Sequence, residues 1–163
     1  MSRVPPDTSA EEPDGGNLQV RFRRGPGLGD RPRLLNKPFD IRAALSSIGK
    51  LEISESTTAE EAGAAMKILA SFNQCMVGLV SFSGLTPWER HPDDELLHIL
   101  EGEVDVRLLL AEGGEQCFTL HADSVFIVPA NLWHNQFSRN GTKLLFVTSQ
   151  QGNEESTAED PRQ

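Results

Sequence analysis

The chain has no tyrosine, only two cysteines and no apolar run long enough to cross a bilayer. Each absence excludes something. Without tyrosine there is no phenol to give or take a proton, so lyase and epimerase chemistry that depends on one is disfavoured. Cys75 and Cys117 are too few and too far apart for a disulfide framework, and no CxxC pair offers a thiolate metal site. A reducing cytoplasm suits them, each as a small buried hydrophobe. A membrane helix needs about 18 apolar residues in a row. No segment supplies them and the start has no apolar signal core, so a soluble protein with no membrane partner is expected. Basic charge is scarce too. Fifteen Lys/Arg against 24 Asp/Glu give a formal net charge of −9, which argues against nucleic acid as a partner.

At 163 residues the chain has room for one domain with a proper core. Its hydrophobic share of 37% is low, so the apolar residues are expected to be concentrated in part of it. Residues 1–36 are rich in Pro, Gly, Asp, Glu and Arg, and Gly25-Pro26-Gly27-Leu28-Gly29 breaks any element there, so a flexible leader is predicted. Its Arg21, Arg23, Arg24, Arg31 and Arg33 are either a contact for an acidic partner or a solvated tail. Residues 150–163 read as a disordered acidic tail. The folded domain is placed at 37–149.

Apolar spacing between Pro38 and Ile48 predicts a short helix capped by Asp40. Thr58-Ala59-Glu60-Glu61 matches a capping box, with Ala62, Ala65, Met66 and Leu69 at helical spacing. A strand over Met66–Leu69 is the alternative. After Asn73 the texture changes to short apolar runs at 75–82, 95–101, 103–110, 116–121, 124–128 and 143–148. Glu101-Gly102, Gly113-Gly114 and Asn140-Gly141 fall between or before these runs as hairpin turns. Strands joined by tight turns make an antiparallel sheet, and closing that sheet hides its edges. The fold class is all-β, a barrel or jelly roll with one or two short N-terminal helices.

Three ligand types crowd into Trp88-Glu89-Arg90-His91-Pro92-Asp93-Asp94-Glu95. Alternation along a strand puts Glu89 and His91 on one side and Arg90 on the other. Pro92-Asp93-Asp94 is turn chemistry, after which Glu95, Leu97 and Ile99 share an apolar face. A carboxylate buried there costs several kcal/mol unless paired or coordinated, so a cation beside Glu95 and His91 is one reading. A solvated acidic hinge is the other. His98 falls on the opposite face and His121 before a turn, so neither is a candidate ligand. A second segment, Ser124 to His134, is an apolar strand, a Pro/Asn turn and a histidine opening another strand.

Together the two segments resemble the paired motifs of the cupin superfamily, over roughly residues 75–148. In the first motif, His-x-His is followed by Glu and a closing Gly. His91, Glu95 and Gly102 fall in place, with Glu89 where the first histidine is usual. In the second, Pro129 and His134 fall in place, with Asp123 and Asn131 at glycine positions and Ser138 where asparagine is usual. The resemblance implies an antiparallel double-stranded β-helix with a metal held by Glu89, His91, Glu95 and His134. These ligands suit a divalent transition metal, Mn, Fe, Ni or Zn, and lack the soft donors that copper(I) prefers. Leu97 is expected in the pocket. Trp88 and Trp133 are expected at its mouth, or else in core packing. Open metal positions imply a dioxygenase, isomerase or lyase acting on a small organic acid or similar chelating substrate, with Glu89 as a catalytic base. The alternative is a non-enzymatic small-molecule-binding or dimerising module. A homodimer is expected of small cupins, through outward Leu96, His98 and Leu100.

Overall fold

The computed structural model describes residues 38–163 apart from Glu55. The leader read over 1–36, with its arginines, lies outside the described residues. The Asp40 carboxylate accepts from the Ala43 amide at 3.0 Å and opens helix α1, Ile41–Leu45. Helix α2, Ala59–Ala64, opens on the full capping box, with the Thr58 amide donating to Glu61 at 2.8 Å and the Glu61 amide donating to Thr58 at 3.3 Å. It ends at Ala64, and Met66–Phe72 is strand β2, so the second of the two sequence readings holds. Pairing explains the outcome: β2 runs antiparallel to β3, Cys75–Leu85, from Met66↔Val80 to Phe72↔Cys75, and that ladder satisfies a backbone that one more helical turn would have left unpaired with the sheet.

The other strands are β1 (Leu51–Glu52), β4 (Trp88–Arg90), β5 (Glu95–Leu109), β6 (Glu115–His121), β7 (Val125–Val128), β8 (His134–Ser149) and β9 (Glu154–Ser156). They form one curled sheet in which only β1 and β3 run parallel. Two strands organise it. β5 and β8 pair with each other from Leu96↔Val147 to Leu108↔His134. Along the way β5 also takes β7 and then β6 as partners, while β8 takes β3 and β4.

Here the sequence expectation is corrected. Glu101-Gly102 and Asn140-Gly141 are not hairpin turns but bends inside the two long strands. Register shifts on either side of Gly102, whose φ is +81°, and Gly141 has φ +104°. A Cβ on Gly102 would collide with the Gly141 carbonyl, so the two paired strands bend together where a side chain has no room. Gly113-Gly114 does turn the chain, with the Leu110 amide donating to the Gly114 carbonyl at 3.1 Å.

β5 alternates as a half-buried strand must: Glu95, Leu97 and Ile99 are buried, and Leu96, His98 and Leu100 are half-buried. Leu97, Ile99, Val104, Val106, Leu144 and Phe146 belong to the main core, each contributing roughly 1.5–3 kcal/mol by leaving water. On the outside of the sheet, Ala44 and Leu45 of α1 pack with Leu79, Leu100 and Leu145. Leu100 is therefore partly covered from within the chain.

Residues 150–163 are not a disordered tail. Strand β9 pairs antiparallel with β4, and Arg90 reaches both Glu154 oxygens at 2.8 and 2.7 Å. Farther on, Arg162 donates to the carbonyls of Leu110 and Gly114 at 3.0 and 3.2 Å. The sequence argument considered apolar burial alone, and this segment is held by backbone pairing and charge.

Candidate metal centre

Four elements deliver four side chains to one end of the barrel. Glu89 lies on β4, His91 just beyond it, Glu95 is the first residue of β5 and His134 the first of β8. The β4–β8 register sets Glu89 directly across from His134. The turn before His134 needs left-handed backbone, and Asn131 adopts it at φ +63°, as Asp123 does at φ +68° one turn earlier. Both replace the glycines of the cupin motif with side chains that tolerate this conformation, so the backbone is kept. Ser138, in the asparagine position, donates to the Glu103 carbonyl at 2.7 Å and accepts from the Gly141 amide at 3.1 Å, bracing the strand bend.

Glu89, His91 and His134 each present a ligand atom within 4.8 Å of the others. Glu95 stands against both imidazoles, 3.0 Å from His134 Nε2 and 3.7 Å from His91 Nε2. Glu89 lies 3.7 Å from His91 Nε2. The histidine rings are 5.2 Å apart between centroids. His91, Glu95 and His134 are 6%, 4% and 1% exposed, whereas Glu89 is half-buried.

The far sides of both rings fix their tautomers. His134 Nδ1 lies 3.3 Å from the Leu132 carbonyl, which can only accept, so Nδ1 carries the proton. Asn153 donates through Nδ2 to the Ser149 carbonyl at 2.9 Å, which turns its Oδ1 toward His91 Nδ1 at 3.1 Å. With both Nδ1 atoms engaged on the outer side, each ring turns its Nε2 toward the same space. His91 Nε2, His134 Nε2 and Glu95 Oε2 are buried and make no hydrogen bond. Three buried acceptors without a donor is an arrangement that a cation relieves. His91 registers the same field. Burial disfavours its charged form, but the carboxylates of Glu89 and Glu95 and the Asn153 oxygen outweigh burial and raise its pKa above the ordinary imidazole value. Nitrogen from two histidines and oxygen from two carboxylates fit Mn²⁺, Fe²⁺, Ni²⁺ or Zn²⁺, and outer partners on both Nδ1 atoms are what oriented metal ligands require.

A cavity of about 210 Å³ adjoins the centre. Glu89, His91 and Glu95 line one end; Phe82, Leu97, Leu144 and Phe146 line the apolar wall. Of the residues expected around the pocket, Leu97 is in this wall and the tryptophans are not. Trp88 lines an outer cleft that shares Leu51, Ile53, Thr86, Pro87 and Glu155 with the cavity, and it clusters with Trp133 and Leu109; the Arg107 and Arg90 guanidinium groups lie over the two indoles at 5.2 and 4.8 Å. Core packing was the other reading of this pair. Sequence reasoning missed Gln136, Thr148, Asn153 and Glu155, which also line the cavity. Gln136 follows His134 at strand spacing and was readable from that alternation. Asn153 and Glu155 carried no local signal.

A curled antiparallel sheet with ligands on the first residues of its two long strands defines the class. Residues 81–148 match the family model of the cupin domain. Protein NMB1881 from Neisseria meningitidis is a similar solved structure, 21% identical over 69% of this chain and 99% of that one, with a TM-score of 0.52. A cupin-2 domain containing protein from Shewanella frigidimarina is 22% identical over 52% and 79%, with a TM-score of 0.45. Hydroquinone 1,2-dioxygenase from Sphingomonas sp. TTNP3, with 4-hydroxybenzoate bound, is 14% identical over 54% and 66%, with a TM-score of 0.48. No curated protein matches the chain. Among the described residues, no helix is long and apolar enough to cross a membrane.

Proposed function

We propose that this cupin holds a divalent transition metal through Glu89, His91, Glu95 and His134, and binds a small chelating molecule in the adjoining cavity as a metal-dependent enzyme. One observation carries the reading: three buried side-chain atoms, His91 Nε2, His134 Nε2 and Glu95 Oε2, face one another and none has a hydrogen-bond partner. Bound there, a divalent metal supplies Lewis-acid or oxygen-activating chemistry with coordination positions open to a substrate. The protein's own contribution is to hold that position dry. Asn153 and the Leu132 carbonyl keep the imidazoles turned inward, and Phe82, Leu97, Leu144 and Phe146 exclude water from the wall.

Glu89 differs from the other ligands in reaching solvent, so it is the group able to leave the metal and move a proton on a bound substrate. Its exchange to Gln is expected to abolish turnover while metal content stays above that of His134→Ala. The cavity volume lies below the range of drug-sized sites, which limits the ligand to a small molecule. Homodimerisation belongs to the same proposal, with edge strand β2 as the contact because Ile68 and Phe72 on it are exposed. The test is thermal unfolding of the metal-stripped protein with added Mn²⁺, Fe²⁺, Ni²⁺ or Zn²⁺. At least one should raise the midpoint in a concentration-dependent way; no shift with any of the four would remove the metal reading.

A further inference from the structure

The charges around the cavity are one-sided. Among the described residues its charged lining consists of Glu89, Glu95 and Glu155 with His91, and no lysine or arginine. The nearby guanidinium groups are committed elsewhere: Arg90 to Glu154 and the Trp133 face, Arg107 to Glu115 and the Trp88 face. Two carboxylates are enough to neutralise a divalent ion, so Glu89 and Glu95 leave the exposed Glu155 as a net negative charge on the cavity lining, with no ion-pair partner among the described residues. Its position in the sheet does not explain it. Glu155 stands directly opposite Glu89 in the β4–β9 register, where like charges destabilise a strand pair. A positive group between them removes that repulsion.

A second, separate feature points the same way. Gln136 and Thr148 line the cavity at 7% and 4% exposure, and Gln136 Oε1 and Thr148 Oγ1 have no hydrogen-bond partner. The Gln136 amide oxygen can only accept, so it calls for a ligand that brings a donor, while the Thr148 hydroxyl can serve either way. We infer that the cavity selects a small ligand bearing an ammonium, amidinium or comparable donor group over a free carboxylate. Glu155 is its counter-ion, and Gln136 and Thr148 accept its protons. This departs from the organic acid implied by family resemblance. It rests on the proposed metal site only for the charge sum; without metal the cavity is more negative still, and the preference persists.

Benzamidinium, benzamide and benzoate share one shape and differ in charge, so they isolate the effect. Their affinities are to be measured by ligand-observed NMR and calorimetry, on metal-stripped protein and on protein loaded with Mn²⁺, with metal content determined separately. Benzamidinium is expected to bind about tenfold more tightly than benzoate in both forms, with benzamide between them, as one partly solvated unit charge allows. Glu155→Gln is expected to shrink that preference about threefold and leave benzamide unchanged. Benzoate binding as tightly as benzamidinium in either form overturns the inference, as does failure of both benzamidinium and benzamide to bind. A preference untouched by Glu155→Gln overturns the role of that residue. Absence of bound Mn²⁺ counts against the metal reading alone, because the metal-stripped series still decides the charge preference.

Discussion

The two halves of the proposed metal centre are built differently. Glu95 and His134 open β5 and β8, the two longest strands, which pair with each other along their length and enclose the main core. Glu89 and His91 hang on β4, a strand of three residues that meets β8 at a single register pair and otherwise leans on β9. The first half is fixed by the barrel. The second depends on the C-terminal segment, through Asn153 on the His91 ring and Glu154 on Arg90. One pair of candidate ligands is thus set by the barrel's long strands, and the other by a short strand that leans on a polar segment outside the barrel.

The comparison is broken most strongly from the fixed side. His134→Ala or Glu95→Ala is expected to weaken metal binding by more than about 100-fold, beyond the range seen for outer-sphere changes. Glu95→Leu should also stabilise the metal-free protein, since it removes a buried carboxylate without a donor. Chemical denaturation of the stripped variant checks this. Next comes the strand bend. Gly102→Ala forces a side chain to positive φ against the Gly141 carbonyl, and should lower unfolding stability by about 1–3 kcal/mol. On the side of the short strand, Asn153→Ala should weaken metal binding about tenfold while barely moving the unfolding midpoint of the stripped protein. If Asn153→Ala proved as damaging as His134→Ala, the distinction between the halves would be lost.

The smallest expected effect is in pH. His91 has a folded pKa above its unfolded value of 6.5, so its contribution to metal-free stability is complete below pH 6.5 and is lost as pH rises through the folded value. Metal affinity should climb across that same window, because the proton leaves the ligand atom. Denaturant midpoints and metal titrations on one pH series should therefore run in opposite directions. Parallel trends would mean that His91 does not govern both.

Much of the barrel was legible because burial leaves a period of two in the sequence: Leu97 and Ile99 follow Glu95 on one face, and all three are buried. The candidate ligand residues could be picked out because turn chemistry and histidine spacing are local, and the structure brings them to one end of the barrel. What failed was non-local. A glycine that bends a long strand carries the same signal as one that turns a hairpin, so Gly102 and Gly141 were read as chain reversals. Only the continued pairing of β5 with β8 on both sides of the bend distinguishes the two cases. The C-terminal segment was misread because apolar content was the criterion, whereas Asn153 and Glu154 act through a hydrogen bond and an ion pair with residues more than sixty positions away.

Metal stoichiometry of the purified wild-type protein and of His134→Ala, after dialysis against one divalent transition metal and removal of the excess, addresses the central claim most directly. Close to one ion per wild-type chain, with the variant nearly empty, is the predicted result. A wild type that retains none of Mn²⁺, Fe²⁺, Ni²⁺ or Zn²⁺, or a variant that retains as much as the wild type, would contradict it.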